Sequence, residues 1–276
     1  MKIIKISLTF LSILFFVFTL HAVAIENNQS QEKVWYVEVE GNDESSVEVR
    51  LNDIPVCRLS LDPEDGSGSS VTRVKYYTQP GTNTLSIYPL SKKGKSTIRL
   101  VVYTKNEDTQ ESVKDVLAEV VIDNDDSVVH KQIELSSDIK EWPWLSTDTI
   151  TDENSKKGAI NFVNDFYEIM VQNNVKEMIV AADPILTYDL MSDPNMNKQE
   201  LVQEWTENME MMFNDENIYD NIETISIQLI PIANNKLFEV KRKDGSPVFR
   251  TSYGSEFTVG FKNIIGRKNG IWNFYH

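Results

Sequence analysis

The apolar residues of this chain change their spacing twice. Over 34–135 they recur at every second position: "VWYVEVE" sets Trp35, Val37 and Val39 on one face, and "VEVRL" sets Val47, Val49 and Leu51. From Asn154 they recur at helical spacing, with Ile160, Val163, Tyr167 and Met170 in line. Past Ile222 the two-residue repeat returns, as in Ile225, Ile227 and Leu229. A two-residue repeat buries one face of a strand but scatters around a helix. The order strands, helices, strands therefore predicts two domains. The first is an all-β antiparallel sandwich, and the second is an α+β domain with helices packed on a bent antiparallel sheet.

The first block covers 33–136. Its strands are "VWYVEVE", "VEVRL", "VCRLSL", "VTRVKYY", "TLSIYPL", "TIRLVVYT", "DVLAEVVID" and "VVHKQIEL", with breakers such as "PGTN" and "KKGK" between them. Residues 62–70, rich in Asp, Gly and Ser, read as a flexible loop. Cys57 shares a strand face with Leu59 and Leu61 and is expected to be a small buried hydrophobe. Being the lone cysteine, it has no partner within the chain for a disulfide.

Residues 137–153 form a linker built around "WPW". Pro143 extends Trp142, and the two tryptophans are expected to pin one domain to the other. Residues 154–276 form the second domain. Its first helix carries a broad apolar stripe, its second is broken by Pro184, and its third starts at a cap from Asn197 or Asp193. The methionines of "MEMMF" near the end of that helix read as core. Hairpins are predicted at Asp244-Gly245 and Asn269-Gly270. In the terminal "GIWNFYH", alternation puts Trp272, Phe274 and His276 on one face, so the ending reads as a core strand with His276 at its tip and no chemistry assigned to it.

Two resemblances add to this reading. "VEVRLNDIPVCRL" followed by "YYTQPGTNTLSI" weakly resembles jelly-roll or immunoglobulin-like accessory sandwiches of secreted glycan-acting proteins. The run of helices closing on a meander that ends in Gly270, Trp272 and Phe274 resembles the NTF2-like (SnoaL-like, cystatin-like) superfamily. That second resemblance implies a cone formed by a bent sheet around a long first helix, and a pocket at its mouth.

The N-terminus, "MKIIKISLTFLSILFFVFTLHAVAIENN", has Lys2 and Lys5 before an uncharged apolar run over 6–20 and a small-x-small site at Ala22-Val23-Ala24. This reads as a signal peptide over 1–24, the run being shorter than the roughly 20 residues of a spanning helix. A periplasmic or secreted protein with no membrane span is expected. The formal charge of −15 becomes two units more negative once Lys2 and Lys5 are removed. Such acidity disfavours nucleic acid and suits a basic protein partner.

Removal of His21 leaves only His130 and His276, and neither is placed for acid–base catalysis. Asp165 and Glu168 read as a solvated helix face. Asp123, Asp125, Ser127 and Glu134 have calcium-loop spacing, but Val128 stands where such a loop needs glycine, so no metal is assigned. No nucleotide or nucleophile-elbow motif occurs, and no catalytic residue or cofactor is assigned. Tyr167, Asp183, Tyr188 and Trp205 are the candidates for a binding pocket. The reading that follows is a non-catalytic exported binding protein of the bacterial envelope, such as an immunity protein neutralising a delivered toxin. The alternative is a small-ligand or glycan-binding protein using the cone or the sandwich face. The sequence leaves open which domain binds and the oligomeric state.

Overall fold

The computed structural model describes residues 32–42, 44–62, 64, 66–105, 112–123, 127–136, 139–193, 195–213, 218–222, 225–251, 261 and 263–276. The signal peptide expected over 1–24 and Asp125 of the calcium-like spacing lie outside the described residues.

The N-terminal domain is an antiparallel sandwich of eight strands: β1 (Glu32–Asn42), β2 (Ser46–Leu51), β3 (Ile54–Ser60), β4 (Ser67–Arg73), β5 (Gly81–Pro89), β6 (Lys95–Lys105), β7 (Ser112–Asp123) and β8 (Val129–Leu135). One sheet has the order β4-β1-β6-β7 and the other β3-β2-β5-β8. The inward members of the two-residue repeat fill the space between them. Val37 and Val39 face Leu100 and Ile98 across the β1–β6 ladder, and all four are sealed from solvent together with Val47, Val49, Leu85 and Ile87. Cys57 lies in this core, as its strand face implied.

One strand begins where its side chains do not advertise it. The stretch expected as a flexible loop contains most of β4, which pairs with β1 from Asn42↔Ser67 to Tyr36↔Arg73. Backbone pairing needs no apolar side chain. The small residues fit because Leu61 lies over them: a Cβ on Gly68 would sit 2.5 Å from Leu61 Cδ2. The "VKYY" expected to continue a strand leaves the sheet instead, and Lys75–Tyr77 forms a 3₁₀ turn.

The C-terminal region is α+β. Helices α1 (Glu153–Val171), α2 (Val175–Ala181), α3 (Asp183–Ser192) and α4 (Lys198–Met212) precede strands β9 (Ile227–Ile232), β10 (Leu237–Arg242), β11 (Ile264–Lys268) and β12 (Ile271–Phe274). These strands form an antiparallel meander in the order β12-β11-β10-β9. The caps are local in origin. Asp152 accepts from Ser155 N at 2.8 Å to start α1, and Asn197 accepts from Gln199 N at 2.8 Å to start α4. Pro184 separates α2 from α3 by standing in the first turn of the latter, where its missing N–H costs nothing.

Asn269 (φ 53°) and Gly270 (φ 82°) make the tight β11–β12 turn as predicted. The Asp244-Gly245 turn also forms, but it opens after a single bridge, Lys241↔Pro247. Both edges of β10 are already taken, by β9 and by β11.

Phe274 is the hub where α1 meets this sheet. It is fully buried, with ring centroids of Phe166 at 4.4 Å, Phe261 at 4.9 Å, Phe249 at 5.1 Å and Phe162 at 5.3 Å. Trp272 is half-buried and lies against Phe238, with its Nε1 3.2 Å from where a Cβ on Gly158 of α1 would stand. Phe274→Ala should therefore cost about 3–5 kcal/mol in denaturant unfolding, as expected for emptying a sealed aromatic site. Trp272→Ala should cost distinctly less, because part of its ring is already in water.

Candidate functional site: the interdomain junction

The linker is bound along its length. Ile139 packs into the sandwich core. Asp148 N donates to Arg267 O at 2.6 Å and Ile150 N to Asn235 O at 2.8 Å, fixing the far end to the second sheet. Arg267 Nε donates to the Asp148 carboxylate at 3.0 Å. Burial alone would raise the Asp148 pKa, but the bonds from Arg267 and from the Gly270 and Asn269 backbone outweigh it and hold the group below its usual value.

Between these anchors Trp142 is extended (ψ 153°), as the following proline requires, and Pro143–Ser146 turns in a 3₁₀ helix. Both tryptophans are turned inward, 2 % and 3 % exposed. Tyr76, from the 3₁₀ turn of the sandwich, is their common partner. Its ring meets Trp142 edge-on at 5.2 Å and Tyr188 at 5.4 Å, and stacks on His276 at 4.5 Å. Its carbonyl accepts from Trp144 Nε1 at 3.0 Å. Its hydroxyl accepts from Ser192 Oγ at 3.2 Å. Trp142 stacks on Tyr188 at 5.7 Å, and Trp144 N donates to the Tyr188 hydroxyl at 3.2 Å. Ile54 from the sandwich and Ile232, Leu237, Ile264 and Tyr275 from the second sheet complete the cluster.

His276 does not follow Trp272 and Phe274 onto the helix side. Strand pairing ends at Phe274, and the last two residues turn to the junction: Tyr275 is buried there, and His276 lies edge-on to Tyr188 at 5.0 Å. Alternation along a strand binds side chains only as far as the ladder runs.

A cleft of about 810 Å³ opens beside this cluster. Gln79 and Pro80 of the sandwich, Trp142 and Leu145 of the linker, Asp183 and Met191 of α3, and Ile271 and Tyr275 line it. A hollow of about 350 Å³ lies against the sandwich sheet, where Ser86 Oγ and His130 Nδ1 are 2.8 Å apart across β5 and β8. Ser86 is 4 % exposed, and among the described residues no carboxylate meets the other ring nitrogen of His130. The pair is a cross-strand contact, without the third group that would orient a base. Among the described residues no group of three or more His, Cys, Asp or Glu is arranged to hold a metal ion. Glu134 instead accepts from Thr82 Oγ1 at 2.5 Å.

Of the four pocket candidates, Asp183 stands on the cleft rim, paired with Lys198 at 3.1 Å, and Tyr188 lies in the aromatic cluster behind its floor. Tyr167 is sealed in the C-terminal core, where its hydroxyl donates to Asp220 O at 2.7 Å. Trp205 lies on α4 beside a separate groove with Leu201 and Arg73. The residue that sequence reading missed is Tyr76. The one available signal was a pair of tyrosines before the Pro-Gly turn, which the strand reading absorbed. No protein-family model, no curated protein and no solved structure matches the chain.

Two outcomes test this description. Tyr76→Ala removes a ring from three aromatic contacts and should expose the linker. Limited proteolysis should then cut within 139–150 at least tenfold faster than in wild type, because burial is what protects that segment. Burial also pushes the phenols of Tyr167 and Tyr275 up to about 12 from 10.0. A raised folded-state pKa means that the neutral phenol is favoured by folding. Stability is therefore fully present below about pH 10 and is lost as pH rises through about 12. Urea midpoints should therefore be flat below about pH 10 and fall between about pH 10 and 12.

Proposed function

We propose that this chain is a non-catalytic exported binding protein of the bacterial envelope, carried across the membrane by a signal peptide over 1–24 and acting in the periplasm or outside the cell. Its partner is a protein of basic character, as for an immunity protein that neutralises a delivered toxin. The observation that carries the reading is the cleft at the junction. Both domains and the linker line it, and the aromatic cluster behind it holds their relative placement. A surface held this way loses little freedom on binding. Ile271, 65 % exposed at the cleft edge, offers an apolar contact, and the exposed Glu141 adds a carboxylate to a lining that also holds Lys268 and the Asp183–Lys198 pair. The formal charge of −15 favours encounter with a basic partner. The second domain is read as an NTF2-like cone used as a binding scaffold, supported by the helices that precede its meander and by Gly270, Trp272 and Phe274 on its closing hairpin.

A second reading, a small-ligand or glycan-binding protein, draws on the hollow against the sandwich sheet. Thr84 and Tyr88 line it with their hydroxyls, beside the Thr82–Glu134 and Ser86–His130 pairs.

Capture from an envelope extract separates the two. Wild type should retain a basic protein. Ile271→Arg, at an exposed site, should leave the melting temperature unchanged and weaken binding of the purified partner about 10- to 100-fold, as loss of an interface anchor does. Retention of no protein, together with a saccharide or lipid that raises the melting temperature, would favour the second reading.

A further inference from the structure

We propose that two copies of this chain pair antiparallel through β7, joining their β4-β1-β6-β7 sheets into one continuous sheet. The three described sheets end in β4, β7, β12, β9, β3 and β8. β3 and β9 carry Pro55 and Pro231, β12 has four residues, β4 is "SGSSVTR", and β8 is largely polar. Prolines, short lengths and polar faces are the devices by which edges refuse another strand. β7 is long and free of proline, although it carries a bulge and the charged residues Lys114, Asp115, Glu119 and Asp123. It runs for 12 residues without proline, and Val113, Val116 and Val121 are 60 %, 52 % and 50 % exposed. Among the described residues nothing pairs with its outer edge.

Two of its charges are engaged with their own sheet, while Asp115 stays exposed. Lys114 lies back over its own sheet and donates to Glu38 at 2.7 Å. Glu119 accepts from Arg99 Nε at 2.5 Å, and Arg99 also meets Glu40 at 3.0 Å.

A second copy of β7 fits because of an irregularity. The β6–β7 register shifts between Leu100 and Val101, leaving Leu117 as an extra residue between Val116 and Ala118. Were Leu117 an ordinary member of the ladder, positions 114 and 116 would face oppositely to 121 and 123. With it, Lys114, Val116, Glu119, Val121 and Asp123 all pair with one face of β6, opposite Tyr103, Val101, Arg99, Thr97 and Lys95. A two-fold axis through Glu119 then sets Val116 against the partner's Val121, and Lys114 against the partner's Asp123. Ala118 falls against the partner's Val120 on the inner face. Apolar meets apolar and lysine meets aspartate, twice each by symmetry. The opposing terms are Glu119 against its own copy, softened by the Arg99 that each holds, Asp115 against the partner's Ile122 on the inner face, and the Glu38 that already holds Lys114. Pairing one strand buries less than a standard interface of about 1,600 Å², so the dimer is a weak one.

Sedimentation of the purified protein from about 1 to 200 µM should show conversion of monomer to dimer, the range that suits a weak interface. Added salt should strengthen the dimer, because two acidic chains repel at long range. Val116→Lys and Val121→Lys, both at exposed positions, should each weaken it at least about tenfold with no change in melting temperature. Glu119→Gln should tighten it. Asp123→Lys should weaken it, and adding Lys114→Asp should restore it. A monomer throughout the range, or a dimer indifferent to both valine substitutions, overturns the proposal. A charge swap that fails to restore pairing overturns it as drawn.

Discussion

Tyr76 enters the second domain's side of the molecule with its ring, its carbonyl and its hydroxyl all engaged: with Trp142, Tyr188 and His276, with Trp144, and with Ser192. Every other interdomain feature is arranged around that insertion. The linker tryptophans face inward because there is a ring to meet. Tyr188 gives its stacking face to Trp142 and its hydroxyl oxygen to the Trp144 backbone, so one side chain fixes two linker residues. Burial pushes the Tyr188 phenol well above its ordinary range, and the bond from Trp144 opposes this only in part. A neutral phenol suits a packing role at any physiological pH.

The glycines show the same economy of space. A Cβ on Gly266 of β11 would lie 2.6 Å from Leu237 Cδ2, 3.0 Å from Tyr275 Cε2 and 3.2 Å from Thr147 Cγ2. The linker therefore approaches the second sheet as closely as backbone allows. The same close approach supports the bond from Asp148 N to Arg267 O one residue further on. Sheet and linker form one packed layer, and the cleft on its other side is shaped by that layer.

Much of this was legible in the sequence. The two changes of period gave the order of domains, because burial on one face of a strand or helix imposes its own repeat on the chain. Asn269-Gly270 predicted its turn because few residues accept two successive positive φ values. Asn197 was one of two caps considered, and it is the one used, while Asp193 instead accepts from Asn195 N. The first half of β4, Ser67–Ser70, was not legible, since its place rests on backbone pairing with β1 and on Leu61 covering it, and neither leaves an apolar repeat; Val71–Arg73 were read as strand. The candidate site was only half legible. Asp183 and Tyr188 flank a proline break and so drew notice. Tyr76 belongs to the junction only through tertiary contact with residues more than sixty positions away, such as Trp144 and Asp189. Local pattern carries no trace of such a contact.

The junction cluster joins Ile54 of the sandwich to Tyr275 beyond the last strand, with the linker and α3 between them in the chain. Its contacts are thus among the longest in sequence separation that the fold contains, and loops of that size close late. During synthesis the sandwich can complete its own ladders first, yet Ile54, Tyr76 and Tyr77 must wait, apolar and uncovered, until the second sheet delivers Tyr275. The interval of greatest exposure to misassembly therefore falls at domain docking, after both sheets have formed.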